Sequence, residues 1–386
     1  MTTIDETTSM SNERSGTAAG KPRGPRFLIV QNSPRHRAVQ AVLIALTVVA
    51  LLWAAGQPTF RLGQFTNVFI IAIAVVGLNI VTGYTGLLSI GHSAFFGLGA
   101  YTTGILIVRY EFAPLATIPL AVLFAFVLGL LVGLPSLRIH GLYLALVTLA
   151  VAVSFPEIVR RAEELTGGAA GMVVRSRYLA PPEWTGLVRG ERAIWMFWLS
   201  AAVLAIVMLL VRNLVKSRFG IAMRATRDNE IAAAANGVSI ARTKILAFGI
   251  SGAITGLAGS LFGMYIGALS PDGSFTLMKA IELVTGLVLG GIATQIGPLV
   301  GAFAVVFLPY WTASWAEGPL SGVVFGVLLI ALVFLMPEGI VGRLGLLVRK
   351  VVAIVPSDHP RRTAASHDPP PEPPSPPGDE PLTASR

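Results

Sequence analysis

Residues Arg212–Lys244, RNLVKSRFGIAMRATRDNEIAAAANGVSIARTK, form a polar, basic island between two apolar runs, Ala193–Val211 and Ile245–Leu269. Inside the island, Asp228–Asn236 reads as a short helix. Ala232 to Ala235 favour helix, and Asn236-Gly237 supplies a residue able to take the left-handed conformation that ends one. Asp228 and Glu230 fall in its first turn, where the helix dipole favours negative charge. A small Ala-faced helix kept between two membrane-grade segments reads as a docking element.

The rest of the chain supports that setting. Its 386 residues are 54% hydrophobic and only 13% charged, and the mean hydropathy is +0.72. A soluble domain carries about 25% charged residues. Repeated apolar runs near 20 residues imply transmembrane helices, because about 20 residues cross about 30 Å of hydrocarbon. The expected class is an all-α polytopic integral membrane protein of about ten transmembrane helices (eight to ten). The net charge of +9 fits the Lys and Arg excess that orients such proteins, and no nucleic-acid fold signature accompanies it. With no cysteine, disulfides, thiolate nucleophiles and Cys-based metal sites are excluded.

Residues 1–37 carry six basic residues, Arg14 to Arg37, and read as a disordered basic cytoplasmic tail. A transmembrane domain is expected over 38–345, with candidate helices at 38–56, 67–88, 92–109, 115–134, 142–158, 193–211, 245–269, 280–296, 298–315 and 320–336. A cleaved leader ending at Ala54-Ala55-Gly56 is a rival for the first, but that apolar run exceeds the usual length of about 7–15 residues. The breaks at Ser89-Ile90-Gly91 and at Gln295-Ile296-Gly297-Pro298 separate crossings in this count, or else are kinks or re-entrant bends. With both termini cytoplasmic, 20 of the 29 Lys and Arg fall inside, including the island 212–244, and nine outside. That asymmetry has the expected sign. Six of those nine sit in the external loop 159–192, nearly balanced by glutamates. The segment 346–386 reads as a Pro-rich disordered cytoplasmic tail, since 356–386 holds ten of the 25 prolines.

Gly77–Tyr101, GLNIVTGYTGLLSIGHSAFFGLGAY, is punctuated by six glycines, with Asn79, Thr82, Ser89, His92 and Ser93 between them and Tyr101 at its end. In lipid every backbone polar group needs a local partner, so broken helix of this kind belongs inside protein or along a water-lined path. The stretch as a whole is a candidate pathway lining; for any single residue, close packing is the plainer account. Small-xxx-small pairs recur at Gly129/Gly133, Gly252/Gly256, Gly259/Gly263/Gly267, Gly286/Gly290, Gly297/Gly301 and Gly322/Gly326, the signature of a closely packed bundle. Glu282 is a further pathway candidate as an intramembrane carboxylate, or else an interface residue paired with Lys279. The five histidines show no metal-ligand spacing and no catalytic grouping appears, so no enzyme chemistry, metal or cofactor is implied. The loop 163–174, EELTGGAAGMVV, is either a flexible turn or a partner contact.

Three stretches together carry a family resemblance: Gly77–Tyr101, LTGGAAGM at 165–172, and RATRDNEIAAAANGVSIARTKILAFGISGAITGLAGSLFG at 224–263. LVLGGIATQIGPLVGA at 287–302 and MPEGIVG at 336–342 agree with them. The combination, covering about residues 40–345, resembles the LivM-type permease subunit of branched-chain amino-acid ABC importers. The resemblance implies a bacterial inner-membrane protein working with a second permease subunit, two ATP-binding subunits and an extracytoplasmic solute-binding protein. It places the motif that inserts a coupling helix into the ATPase on Asp228, Asn229, Glu230, Ala232, Ala233 and Gly237, with Ile231 where the commonest form has alanine.

Two other readings keep their own tests. The same architecture serves for urea, short amides or another small polar solute, which the binding protein decides. A stand-alone secondary transporter or channel places ionisable groups mid-membrane, whereas the helices here are nearly free of charge.

Overall fold

A computed structural model describes residues 27–30, 34–139, 141–315, 320–336 and 338–355. The chain divides into two units, Ile44–Leu346 and a smaller one made of Met1–Leu43 with Leu347–Arg386. In chain order the elements are β1 (Phe27–Val30), α1 (Pro34–Ala55), α2 (Thr59–Leu78), α3 (His92–Tyr110), α4 (Pro114–Gly133), α5 (Leu142–Arg161) and α6 (Glu163–Thr166). They continue with β2 (Met172–Val173), α7 (Arg192–Lys216), α8 (Arg218–Asp228), α9 (Glu230–Ala235), α10 (Ile240–Ile266) and β3 (Ala268–Leu269). The last are α11 (Pro271–Ser274), α12 (Leu277–Gly290), α13 (Gly297–Trp315), α14 (Leu320–Leu335), α15 (Gly339–Val351) and β4 (Val352–Val355).

The all-α expectation holds, and each of the ten apolar runs is helical over most of its length. Six helices among the described residues are long and apolar enough to cross a membrane: Thr59–Tyr84, Pro114–Leu137, Leu142–Arg161, Arg192–Lys216, Ile240–Ile266 and Pro271–Gly290. The other four apolar runs of the ten-helix expectation lie in α1, α3, α13 and α14. Among the described residues, α1, α13 and α14 contribute the apolar stretches Ala45–Ala55, Gly297–Ala313 and Gly322–Leu332. In α3 the residues His92, Ser93, Thr102, Thr103 and Arg109 dilute the apolar face.

Within the stretches expected to be tails, the described residues include β1 and the first turn of α1, then the end of α15 and β4. β1 and β4 pair in parallel, with Phe27 opposite Val352 and Val30 opposite Val355. Residues 1–26 and 356–386, where the remaining basic and Pro-rich positions fall, lie outside the described residues.

The larger unit is organised around α2 and α10. Val68 to Leu78 of α2 are all buried, as expected of a helix that is apolar all round. α10 packs against α2, α3 and α4 through glycines that admit a neighbouring backbone. A Cβ at Gly259 would overlap the Phe96 carbonyl, and one at Gly99 would overlap that of Gly256. On the other side of the unit, α12 and α13 cross at Gly286, Gly290, Gly297 and Gly301, where a Cβ at Gly301 would overlap the Gly286 carbonyl. These small-xxx-small pairs are therefore contact seams. Gly322 and Gly326 differ: nothing lies within 4 Å of a Cβ at either.

The Gly-rich stretch 163–174 is a built clasp rather than a loose turn. β2 pairs antiparallel with β3, Met172 opposite Leu269 and Val173 opposite Ala268. Gly171 adopts φ +75, and a Cβ there would overlap the Leu269 carbonyl. The Thr166 hydroxyl donates to Val159 O at 2.7 Å, tying the loop back to α5.

Candidate functional site

The island folds as two helices. α8 starts at Ser217, whose hydroxyl accepts the Gly220 N–H, and ends at Asp228. Asn229 is extended (φ −161, ψ 110), and its side chain accepts the Ala232 N–H at 2.9 Å, so it is the N-cap of α9. Asp228 accordingly closes α8 instead of lying in the first turn of α9, which corrects the single helix Asp228–Asn236. Glu230 alone supplies the acidic first turn.

The C-terminus of α9 is a Schellman arrangement. Gly237 takes φ +81, Val238 N–H donates to Ala233 O and Gly237 N–H to Ala234 O, both at 3.0 Å. No atom lies within 4 Å of a Cβ at Gly237, so its glycine serves conformation only. Ala233 faces inward, whereas Ile231 is 84% exposed.

Beside the buried Met223 of α8, two polar contacts tie this region to the bundle. Lys244, in the first turns of α10 and 1% exposed, pairs with Glu230 at 2.7 Å. Its ammonium reaches both carboxylate oxygens, the arrangement a buried cation needs to offset its desolvation. Arg227, one turn before α9, donates to Gly83 O at 2.8 Å. Gly83 lies in a π-helical turn, Asn79–Tyr84, that continues α2. Its partner glycine, Gly86 (φ +76), leaves room for the Arg227 stem, which a Cβ would meet at 2.8 Å.

The π-turn holds the second break in the chain. Asn79, 2% exposed, donates to Thr294 O and accepts the Ala293 N–H, each at 2.9 Å. Residues 291–296 leave helical geometry between α12 and α13, and Asn79 satisfies one donor and one acceptor freed there. Both sequence breaks are interruptions between helices.

Most other pathway candidates are engaged in packing. The Ser251 hydroxyl donates to Gly77 O at 2.6 Å, so the 2.6 Å contact between His92 Nε2 and Ser251 Oγ is made by an Nε2–H donor. Nδ1 is then the acceptor from the Ser89 hydroxyl at 3.0 Å. The Thr82 hydroxyl donates to Leu87 O at 3.1 Å. Glu282 pairs with Lys279 at 2.6 Å, and Lys279 also lies 5.5 Å from the Phe262 ring centroid. Ser93 Oγ and Tyr101 OH are buried without a hydrogen-bond partner, the Tyr101 ring resting 5.3 Å from that of Phe275. None of these residues lines the three cavities described.

Residues 61–333 match the family model described as branched-chain amino acid transport system / permease component. The chain belongs to that family. The permease is 30% identical over 341 residues to the high-affinity branched-chain amino acid transport system permease protein LivM of Escherichia coli (strain K12), covering 82% of this chain and 78% of that protein. It is equally similar, over 339 residues, to LivM of Salmonella typhimurium. It is 23% identical over 290 residues to the Escherichia coli permease protein LivH, covering 70% of this chain and 91% of the relative. No solved structure matches.

Within the permease, the structure brings Asn229, Glu230, Ala232, Ala233 and Gly237 into one capped helix, α9. Sequence reasoning missed Arg227 and Lys244 as its anchors. The signal for Lys244 was present: a cation in the first turns of a long apolar helix needs a counter-charge nearby, and the island holds only two carboxylates, Asp228 and Glu230. Arg227 gave no such signal, because its acceptor is a backbone carbonyl 144 residues away.

Proposed function

We propose that this chain is a membrane permease subunit of an ATP-binding-cassette importer for branched-chain amino acids. In this reading an extracytoplasmic binding protein delivers the substrate, and separate ATP-binding subunits hydrolyse ATP. A second permease subunit completes the membrane portion. Ten crossings with both termini cytoplasmic put α9 on the cytoplasmic face of the bacterial inner membrane. α1, α3, α13 and α14 complete the span count inside the assembled bundle.

One observation carries the coupling role. α9 is capped at both ends and ion-paired to α10, yet it presents a large apolar side chain, Ile231, to the surroundings at 84% exposure. A rigid handle with an exposed apolar tip suits insertion into a partner cleft. Displacement of α9 pulls on α10 through Glu230 and Lys244, and on the π-turn through Arg227. These two links join the handle to separate helices, as a change between inward and outward access requires.

The test is reconstitution in liposomes with the ATP-binding subunits, second permease and binding protein encoded with it. ATP-dependent uptake of radiolabelled leucine is expected, and Ile231→Asp is expected to abolish co-purification of the ATPase while leaving the permease folded. Uptake that proceeds without any ATPase, or a position-231 cysteine labelled only from outside intact cells, contradicts the proposal.

A further inference from the structure

A cavity of about 430 Å³ opens among Thr59, Phe60, Gln64 and Asn67 of α2, Arg192 and Met196 of α7, Tyr265 of α10 and Tyr310 of α13. Its place in the bundle follows from chain direction. Thr59 and Arg192 begin α2 and α7, whereas Tyr265 lies at the end of α10 and Tyr310 in the last turns of α13. The island joins the far ends of α7 and α10, so the cavity and α9 sit at opposite ends of these helices. Volumes of about 300–1,000 Å³ suit small-molecule sites.

The lining has three parts of different chemistry. Arg192 donates through one amino nitrogen to Met264 O at 2.5 Å and Tyr265 O at 3.0 Å, which fixes its guanidinium at the rim. Its Nε–H is buried and has no partner. Asn67 Oδ1 is likewise buried and unpartnered. Phe60 and Tyr310 meet edge to face, with ring centroids 6.1 Å apart, beside Met196. Native proteins rarely leave buried polar atoms unpaired, and two such atoms on residues that line one cavity, both closed off from it in this conformation, constitute an unmet demand. The demand has a sign: one cationic donor and one neutral acceptor, next to an apolar wall. The N-termini of α2 and α7, which favour negative charge, point to the same end.

We infer that this cavity is the permease's own receiving chamber for an apolar α-amino acid, with the carboxylate at Arg192, the ammonium at Asn67 and the side chain against Phe60, Met196 and Tyr310. The inference rests on the importer reading and adds to it a site on this chain distinct from the binding protein. Both orphan atoms are sealed from water in this conformation, so they gain their partners when the chamber wall yields to an occupant.

A leucine analogue carrying an alkyl diazirine, photolysed with membranes containing the full chain and its partners, tests this. Mass spectrometry is expected to place the label on Phe60–Asn67, Met196 or Tyr310. Excess leucine should compete at least tenfold better than leucinol, which lacks the carboxylate, or 4-methylpentanoate, which lacks the ammonium. Because Arg192 also holds the end of α10, Asn67→Leu and Met196→Trp are the informative variants, each lowering labelling about tenfold. Label elsewhere, no label, or equal competition by either analogue overturns the chamber. ATP-driven leucine uptake in the same membranes keeps the two ideas apart: uptake with label elsewhere sinks the chamber alone, whereas absence of both sinks the importer reading as well.

Discussion

The side chain of Asn79 spans two backbone groups of the distant segment 291–296, accepting the N–H of Ala293 at 2.9 Å while donating to the carbonyl of Thr294. Ala293 is held at φ +58, a left-handed conformation that costs an L-residue about 1–2 kcal/mol. A single carboxamide thereby pins the π-turn of one helix to the break between two others.

Asn79→Leu leaves both backbone groups without partners. Each is expected to cost about 1–3 kcal/mol. Ala293→Gly should act in the opposite direction: relief of about 1–2 kcal/mol, less about 0.5–1 kcal/mol for glycine's extra freedom when unfolded, leaves a small gain. Unfolding free energies from detergent titration check both signs. Equal stability of the Asn79→Leu protein would show that the Asn79 bridge contributes nothing.

The Glu230–Lys244 pair should respond asymmetrically. Lys244 is 1% exposed and the Glu230 side chain 37%. Glu230→Leu strands a buried ammonium and should cost about 3 kcal/mol, the low end for breaking a buried pair because Glu230 partly reaches water. Lys244→Met leaves a carboxylate that can rotate into solvent, and should cost under about 1 kcal/mol. The double variant should recover most of the loss seen with Glu230→Leu alone. A double-mutant cycle on thermal unfolding measures this, and a double variant as unstable as Glu230→Leu refutes the assignment.

Gly237→Ala should damage docking while sparing the bundle. The φ of +81 makes alanine about 1–2 kcal/mol less favourable, and with open space around the position no overlap adds to it. The expected result is a frayed α9, weaker capture of the ATPase and an unchanged melting temperature for α10 and its neighbours. Gly301→Ala is the counterpart: its Cβ overlaps the Gly286 carbonyl, so the bundle itself loses about 1–3 kcal/mol.

Arg227→Met keeps the aliphatic stem against Gly86 and removes the donor to Gly83 O. A hydrogen bond from a charged group contributes about 1.5–3 kcal/mol, and about 1.4 kcal/mol is tenfold in an equilibrium. Leucine transported per ATP hydrolysed should fall about tenfold, with ATPase binding retained. Parallel assays of uptake and phosphate release read the ratio; no change removes Arg227 from the route between handle and bundle.

Much of the architecture was legible one residue at a time. Ala232 to Ala235 and Gly237 announced a short terminated helix, because propensity and left-handed backbone preference are local properties. Apolar runs announced the bundle, because the bilayer sets segment length. The boundary at Asn229 was misread for an equally local reason: Asp228 and Asn229 are both good cap residues, and only the extended backbone of Asn229 selects between them.

Tertiary structure alone decided which residues of Gly77–Tyr101 do what. Asn79 looks like a pathway group in sequence, yet its partners lie more than 200 residues away in a break whose backbone groups exist only once α12 and α13 cross. His92 acquires one tautomer from Ser251 and Gly77, on two other helices. Sequence determined the helices, their ends and the polar island, since each depends on neighbours along the chain. Folding determined the clasp, the Arg227 link and the cavity at Arg192, since each joins groups that only close, glycine-lined packing brings within hydrogen-bond range.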